Sequence, residues 1–418
     1  MEEWKEYKLG DVCTIVGRIG FRGYTTDDLT NNPKDGAITL SPTNIVAGEL
    51  DLSKPTYIKW PKYYESPEIM LEKDDIVIVK TGSSIGRTTR IREIKHPMTL
   101  NPQFVVLKDI KVDNGFLSYI IKSPLFQASL KAITVGSAIP TLSQKNLAKI
   151  SINIPEEKTQ KRISRVLSSL DDKIEVNRKM NENLEQQAMA LFKSWFVDFE
   201  PFKDGEFVES ELGMIPKGWR VGTLEEIGDV IGGSTPSKAS PEYYTENGIA
   251  WLTPKDLSVS NAKFTAKGEF DITQEGYNSC STKLMPRGTV LFSSRAPIGY
   301  ITIAKNEICT NQGFKSVVPD YAGTAFIYCY LKAATPDIEN KATGSTFKEA
   351  SGSLMKSLQL VVAPKDIMNS FEKRLKPIFD EQECIEDESR RLSTLRDTLL
   401  PKLMSGELKV NEVEISEK

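Results

Sequence analysis

A long stretch of regularly spaced residues occupies the middle of the chain, where residues 163–195 read ISRVLSSLDDKIEVNRKMNENLEQQAMALFKSW. Its mostly apolar repeating positions, separated alternately by four and three residues, are Ile163, Leu167, Leu170, Ile174, Asn177, Asn181, Leu184, Ala188, Leu191 and Trp195. This heptad spacing places them on one side of an α-helix. Because residues 156–198 contain no glycine and no proline, the pattern predicts a helix of about 40 residues, ~60 Å long.

The same seam recurs 208 residues further on, at Phe371, Leu375, Ile378, Gln382, Ile385, Ser389, Leu392, Arg396, Leu399 and Leu403. One such stripe alone is typical of an amphipathic helix packed on its own domain. Two stripes at one offset favour pairing of the two helices with each other, and the order of the chain makes that pairing antiparallel. Pro377 is a candidate kink near the start of the second helix.

An internal repeat extends beyond the helices. Residues 4–9 (WKEYKL) are echoed by residues 219–224 (WRVGTL), and the offset drifts only from 215 to 208 along the chain. Further matches are Leu40-Ser41-Pro42 with Leu252-Thr253-Pro254, Ile85-Gly86 with Ile298-Gly299, Asn101 with Asn311, and Gly136-Ser137 with Gly344-Ser345. The two halves are therefore predicted to share one fold, which precedes each long helix.

The predicted fold class is α+β. It comprises two repeated globular domains of mixed α/β structure, each followed by a long helix, with the helices paired as an antiparallel coiled coil and one domain at each end of a dumbbell. The expected segments are 1–155 (first domain), 156–200 (central helix), 201–212 (linker), 213–364 (second domain), 365–408 (C-terminal helix) and 409–418 (tail).

Composition narrows the function classes. The chain has 418 residues, 39% of them hydrophobic and 27% charged, as in soluble folded proteins. His96 is the single histidine, and the five cysteines form no C-x-x-C pair, which disfavours histidine catalysis, zinc sites and a disulfide framework. A secretory n-region and an apolar run of 18 residues are both missing, so we expect a cytoplasmic protein with no membrane partner.

The net charge of −3 is unevenly distributed. Residues 1–155 carry 20 Lys+Arg against 17 Asp+Glu, and residues 213–364 carry 15 against 14, whereas the helical segments are acidic. Within residues 80–95 the local charge reaches +4. A cluster of this kind is usually a solvated face, but it also suits an anion such as DNA.

Paired loops supply candidate DNA contacts. Residues 80–87 (KTGSSIGR) and 293–300 (SSRAPIGY) offer hydroxyls and cations for phosphates, and the turns at 101–103 and 311–313 offer amides that suit an adenine edge. The candidate DNA-binding residues are Lys80, Ser83, Ser84, Arg87, Arg90, Asn101, Gln103, Ser137, Thr235, Lys238, Ser294, Arg295, Tyr300, Asn311, Gln312, Ser345, Thr346 and Lys348. The alternatives are ordinary β-turns and asparagines that bond their own backbone.

Catalytic and cofactor motifs are missing from the sequence. The loop at 80–87 lacks the G-x-x-x-x-G-K-[ST] order of a nucleotide-binding loop. Residues 336–341 (PDIENK) only superficially resemble a metal-dependent nuclease signature. We therefore predict no catalytic residue and no metal site. A coiled-coil adaptor and a stand-alone DNA-modifying enzyme remain as alternatives.

Three segments resemble the specificity subunits of type I restriction-modification enzymes: residues 191–199 (LFKSWFVDF), 214–219 (MIPKGW) and 399–408 (LLPKLMSGEL). The resemblance spans essentially the whole chain, and the order of domain, helix, domain, helix is similar to that family's architecture. It departs from the family in the first domain, where residues 18–24 (RIGFRGY) stand in place of the GSTPS pattern found at residues 233–237.

The resemblance implies a non-catalytic subunit that binds double-stranded DNA. Each domain would read one half of a split target, and the helices would set the gap between the half-sites and dock two methyltransferase subunits. Restriction subunits would complete the assembly. The chain itself would need no cofactor, because S-adenosylmethionine, ATP and Mg²⁺ would belong to those partners.

Overall fold

The computed structural model describes residues 4–18, 23–46, 48–134, 141–260, 262–344 and 348–410. They form two compact units, Met1–Ile174 with Arg391–Lys418, and Glu175–Arg390. Each unit thus contains one globular domain and a portion of each long helix. In the part of the chain that the structure describes, none of the helices is long and apolar enough to cross a membrane.

The strands of the first unit are β1 (Lys5–Lys8), β2 (Thr14–Val16), β3 (Leu29–Thr30), β4 (Gly36–Leu40), β5 (Ile45–Val46), β6 (Glu49–Leu50), β7 (Tyr57–Lys59), β8 (Ile76–Val79), β9 (Thr88–Arg90), β10 (Met98–Leu100), β11 (Phe104–Lys108) and β12 (Ser151–Ile154). Its helices are α1 (Leu9–Val12), α2 (Trp60–Tyr64), α3 (Asn114–Lys122), α4 (Pro124–Thr134), α5 (Gln144–Ala148) and the beginning of α6 (Glu157–Phe196). The β-branched run at 76–79 is fully buried, which explains its place inside a sheet.

The strands of the second unit are β13 (Phe207–Ser210), β14 (Gly213–Pro216), β15 (Arg220–Thr223), β16 (Gly228–Gly232), β17 (Tyr244–Thr245), β18 (Ile249–Leu252), β19 (Phe264–Thr265), β20 (Asp271–Ile272), β21 (Val290–Ser294), β22 (Ile298–Ala304), β23 (Cys309–Thr310), β24 (Lys315–Pro319) and β25 (Gln359–Val362). Its helices are the second part of α6, α7 (Pro254–Ser260), α8 (Gln274–Asn278), α9 (Thr324–Lys341), α10 (Gly352–Lys356) and the greater part of α11 (Lys365–Ser405).

Sheet topology confirms the internal repeat. The sheet order β2-β11-β8-β9 of the first unit reappears as β16-β24-β21-β22, and β10-β4-β7-β3 reappears as β23-β18-β20-β17. The parallel pair of β4 with β10 corresponds to the parallel pair of β18 with β23. In both units a two-stranded ribbon, β1-β12 or β15-β25, joins the start of the domain to the strand before its long helix.

The two long helices run antiparallel within each unit. In the first unit, Ile163 and Leu167 share a core with Leu400 and Leu403. In the second, the rings of Phe192 and Phe371 lie 6.3 Å apart. Within the second unit, Asn177 contacts Ser389 and Phe192 contacts Phe371, so the contacts approach the start of α11 as they approach the end of α6. This is the antiparallel pairing that the heptads predict. Helix α11 continues unbroken through Pro377 and Pro401.

The seam positions are buried or half-buried along both helices. Asn177 is fully buried, and its Nδ2 donates to the Glu388 carboxylate at 2.7 Å and to the Ser389 hydroxyl at 3.2 Å. Its Oδ1 is buried with no hydrogen-bond partner among the described residues. The predicted register, which sets Asn177 opposite Ser389, is confirmed.

A buried carboxylate of α6 joins the first domain to the helices. Asp171, with a side chain only 3% exposed, accepts a hydrogen bond from the Tyr119 hydroxyl on α3 at 2.6 Å and one from Arg396 of α11 at 2.8 Å. Burial alone would raise the pKa of Asp171, but Lys122, Arg396 and Tyr119 together hold it below its ordinary value. The carboxylate thus stays charged and links three elements of the first unit.

A second carboxylate of α6 joins the second domain to the helices. Glu185 accepts from Lys263 at 2.7 Å and from the Tyr328 hydroxyl at 3.0 Å, and it also pairs with Lys332. Lys263 is buried, 3.5 Å from the centre of the Phe379 ring. Burial would raise the pKa of Glu185, but Lys263 and Lys332 lower it to about 2. The pair is therefore charged at neutral pH.

Candidate nucleic-acid interface

One asparagine-anchored turn occurs in each unit, at residues 101–104 and 311–314. The Oδ1 of Asn101 accepts the backbone N–H of Gln103 at 2.9 Å, and the Oδ1 of Asn311 accepts that of Gly313 at 2.8 Å. The N–H of each asparagine donates to the last residue of the neighbouring strand, Leu40 at 3.1 Å or Leu252 at 3.0 Å. The turns are therefore structural equivalents, built on the same hydrogen bonds.

The loops that follow β8 and β21 lie against these turns. The N–H of Lys80 donates to the carbonyl of Gln103, and the N–H of Ser294 donates to the carbonyl of Gly313, both at 2.7 Å. Gly86 and Gly299 both have positive φ, +86° and +95°, which explains why the matching sequence positions hold glycine. In each unit, the structure thus brings the predicted hydroxyl-and-cation loop beside the predicted amide turn.

Two glutamine side chains project from the turns. Gln103 is exposed, and its Oε1 accepts a hydrogen bond from the Nδ2 of Asn101 at 3.2 Å. Gln312 is also exposed, and its Oε1 accepts from the hydroxyl of Thr235. Each turn therefore presents one glutamine amide to solvent, held at its oxygen by a neighbouring side chain.

A cleft of about 710 Å³ opens beside the second turn. It brings together five of the predicted residues, Thr235, Lys238, Arg295, Asn311 and Gln312. Its wall also contains aromatic residues that the sequence analysis missed, Tyr244, Trp251 and Phe270. The Trp251 indole donates to the carbonyl of Ser234 at 3.1 Å, and the Tyr244 hydroxyl donates to that of Pro236 at 2.7 Å, so both hold the loop that carries Thr235.

The first unit has a cleft of about 740 Å³ whose wall includes Thr43, Gly86, Arg87, Lys122 and Gln127. Arg87 is exposed. Ser83 is exposed and Ser84 half-buried on the same loop, and Lys80 is half-buried, with burial lowering its pKa. The cation of this cleft that the sequence predicted is thus Arg87.

The local +4 charge at residues 80–95 does not form an open basic patch. Arg90 lies 3.8 Å from Asp74, and Arg92 pairs with Asp172 and lies 3.7 Å from Glu49. These carboxylates lie outside the 80–95 window, so its charge count could not include them. Arg90 therefore has an acidic neighbour within the fold, and its contact with phosphate stays a prediction.

The predicted cations of the second unit also include some that bond to other groups of the fold. Arg295 lies 3.2 Å from Glu349, on the wall of the cleft. Lys238 is exposed and lines the cleft, whereas Lys348 is exposed and donates to the carbonyl of Glu339 at 3.3 Å. Tyr300 is half-buried and packs against a core that contains Phe314.

Two predicted contact residues are internal. Ser294 is fully buried, and its hydroxyl donates to the carbonyl of Gly313 at 3.2 Å, so it braces the second turn and is unavailable to a ligand. Asn101 is 9% exposed, and both of its amide atoms are engaged within the turn. Asn101 thus has the geometry of the self-bonded alternative, and its direct contact with a base stays a prediction. Ser137, Ser345 and Thr346 lie outside the described residues.

Within the described ranges, no group of three or more His, Cys, Asp or Glu side chains is arranged to hold a metal ion.

The sequence profile of the type I restriction modification DNA specificity domain matches residues 1–186 and 216–389. The chain belongs to this family. It is therefore a specificity-subunit relative whose domains recognise DNA sequence, and the two matched segments coincide with the two repeats.

Similar proteins agree with this assignment. The chain is 25% identical to the type I restriction enzyme HindI specificity subunit of Haemophilus influenzae, over 98% of this chain and all of that protein. It is 42% identical to the MjaIX specificity subunit of Methanocaldococcus jannaschii, over 37% of this chain and 36% of that one. The crystal structure of the S subunit of a type I restriction-modification system from M. genitalium shares the fold, with a TM-score of 0.60, 16% identity and 96% coverage of both chains.

Proposed function

We propose that this specificity subunit binds an asymmetric, bipartite target in double-stranded DNA, one half-site per domain, without catalytic residues of its own. The proposal rests on a turn that has the same hydrogen bonds in both domains but presents side chains at different positions. Both domains build the same asparagine-anchored turn, yet Gln103 projects from the third position of the first and Gln312 from the second position of the other. Turns of the same backbone shape can enter the same groove of DNA, and side chains at different positions can contact different bases there.

The paired helices dock two methyltransferase subunits and, in the full complex, restriction subunits. On α6 the apolar side chains of Val176 and Met180, one turn apart, are 49% and 41% exposed. Adjacent exposed apolar residues on a helix suit a protein partner. S-adenosylmethionine, ATP and Mg²⁺ are supplied through those partners, and the complex works in the cytoplasm, where the DNA is.

Mapping of modified adenines tests the proposal. Cells that express the full chain with its methyltransferase subunit are sequenced for methylated motifs. We expect one motif with two different half-sites separated by an unspecified spacer. A continuous motif, or a perfect palindrome, would contradict the proposal.

Footprinting separates the other candidate functions. A coiled-coil adaptor leaves no footprint on the mapped motif, with or without the methyltransferase. A stand-alone DNA-modifying enzyme modifies the motif without any partner. The proposed subunit protects both half-sites in the complex and modifies neither of them alone.

A further inference from the structure

We infer that Gln103 and Gln312 are the base-reading side chains of the two asparagine-anchored turns, and that each donates to hydrogen-bond acceptors on the major-groove edge of a guanine. Asn101 and Asn311 are positioning residues. The inference rests on the proposed function and assigns what that function leaves open: which side chains read, and which chemical edge they read.

The asparagines are committed to the backbone. In both turns the Oδ1 atom accepts a main-chain N–H two residues on, at 2.9 Å in the first turn and 2.8 Å in the second. Asn101 is also buried. An amide that holds its own turn in this way cannot make the paired contact to adenine that an unengaged asparagine makes.

Hydrogen-bond logic fixes the orientation of the Gln103 amide. Because the backbone N–H of Gln103 requires an acceptor, Asn101 must turn its oxygen toward that N–H, and its Nδ2 then faces Gln103. That Nδ2 is a donor, so the Gln103 atom at 3.2 Å must be the oxygen, Oε1. The remaining amide atom, Nε2, therefore points outward as a donor.

The outward Nε2 of Gln103 is available to a ligand. It lies beside Gly82, 3.9 Å from where a Cβ of that residue would be, so the glycine leaves the approach open. Gln103 is exposed, and within the described part of the chain no hydrogen bond from its Nε2 is formed. A side chain fixed in orientation but unengaged at its tip is preorganised for a contact.

The amide of Gln312 is also held at its oxygen, but by a residue outside its own turn. In the second turn glycine occupies the third position, and the glutamine stands at the second. The hydroxyl of Thr235 donates to its Oε1, which leaves Nε2 as the outward donor at the wall of the cleft. The exposed Lys238 lines the same cleft and supplies positive charge near it, whereas Arg295 on that wall is paired with Glu349. The two glutamines leave their turns at different points, so each reads a different place in its half-site.

An outward amino group selects among the base edges. Guanine presents two adjacent acceptors, N7 and O6, whereas adenine sets an N6 donor beside its N7, and cytosine offers the N4 donor. Gln usually pairs with adenine because it donates and accepts together. Here the oxygen already accepts an internal hydrogen bond, and the outward Nε2 has two N–H donors. The two adjacent acceptors of guanine match these donors, whereas thymine presents only O4.

Selection from random double-stranded oligonucleotides tests the inference, with the full chain alone and with its methyltransferase subunit. We expect Gln312→Ala to lose the guanine preference at one base pair of one half-site by about 5- to 150-fold, and Gln103→Ala to do so in the other half-site. Replacement of either glutamine by glutamate, which only accepts, should move the preference to cytosine. The control Gln274→Ala removes an exposed glutamine that bonds Asn278 in its own helix, and it should change nothing.

Asn101→Asp separates positioning from folding. The aspartate keeps an oxygen for the N–H of Gln103 but lacks the amino group that orients the Gln103 amide. The guanine preference of that half-site should fall, while the other base pairs and the second half-site keep their preferences. Melting curves verify that each variant is folded.

The outcomes distinguish the inference from the proposed function. Unchanged preferences in the glutamine variants, changes spread over both half-sites, or an adenine at the affected position would overturn the inference. A wild-type chain that selects no sequence, or one continuous motif, would instead overturn the proposed function.

Discussion

In both units a buried carboxylate of α6 links the globular domain to the long helices, but the cation that pairs with it differs. Both junctions use a carboxylate of α6 that accepts from a tyrosine, Asp171 with Tyr119 and Glu185 with Tyr328. In the first unit the cationic partner is Arg396, whose side chain is 23% exposed, whereas in the second it is Lys263, at 7%. A buried lysine depends on its partner more than an arginine that keeps contact with water does.

The largest expected effect comes from the second junction. Glu185→Gln removes the carboxylate that pairs with the buried ammonium of Lys263 at 2.7 Å, so we expect the free energy of unfolding to fall by about 3 kcal/mol. Chemical denaturation measures it. The double variant Glu185→Gln/Lys263→Met should recover much of the loss, because the uncharged methionine side chain would pack on the Phe379 ring. Glu182→Gln, on the exposed side of the same helix, is the control and should have little effect.

Stability at low pH should also depend on the charge of Glu185. The pKa of Glu185 is about 2 in the folded protein against an ordinary 4.5, so its contribution to stability is complete above about pH 4.5 and is lost as the pH falls toward 2. Between these values the wild type should lose stability more steeply than Glu185→Gln. Denaturation curves at several pH values test this; equal slopes would mean that Glu185 is not held charged. Subtracting the pH dependence of Glu185→Gln from that of the wild type removes the contribution of Glu386 and the other carboxyl groups.

The first junction should be more tolerant. In Asp171→Asn the Arg396 side chain can regain water, and the amide oxygen can still accept from Tyr119. We therefore expect a loss of about 1–2 kcal/mol in the free energy of unfolding, and less than in Glu185→Gln. A loss equal to or larger than that of Glu185→Gln would refute the proposed difference between the junctions.

The smallest effect concerns the helix seam itself. Asn177 occupies a seam position whose repeat equivalent is Ile385, and its Oδ1 is buried with no hydrogen-bond partner among the described residues. Asn177→Leu should raise the melting temperature slightly while allowing misaligned or aggregated forms, because a buried polar residue fixes register at some cost in stability. Calorimetry and size-exclusion chromatography measure the two effects. A marked loss of stability with a single species would contradict this role.

The sequence predicted features that depend on local periodicity. The heptads located both helices and their direction, because a seam of ten positions needs a partner of equal length. The repeat located the equivalent turns at Asn101 and Asn311, because their backbone hydrogen bonds require the same residue at the same place.

Features that depend on contacts between residues far apart in the chain could not be predicted from the sequence. Lys263 and Glu185 are 78 residues apart, and nothing near Lys263 signals that it is buried. The basic cluster at residues 80–95 includes Arg90, but its neighbour Asp74 lies outside that segment of the sequence. The hydroxyl of Ser294 suits a phosphate by its residue type, but at the end of β21 it points inward and donates to the carbonyl of Gly313.

The asparagine-anchored turns have a consequence for how these proteins change over generations. The asparagine side chain makes the hydrogen bonds that shape each turn, whereas the exposed side chain of Gln103 or Gln312 holds no backbone group of the turn. A mutation at position 103 or 312 therefore alters the outward face of the loop at little cost in folding. A lineage under pressure to mark different DNA can acquire a new preference in one step, with an intact scaffold on either side of the change.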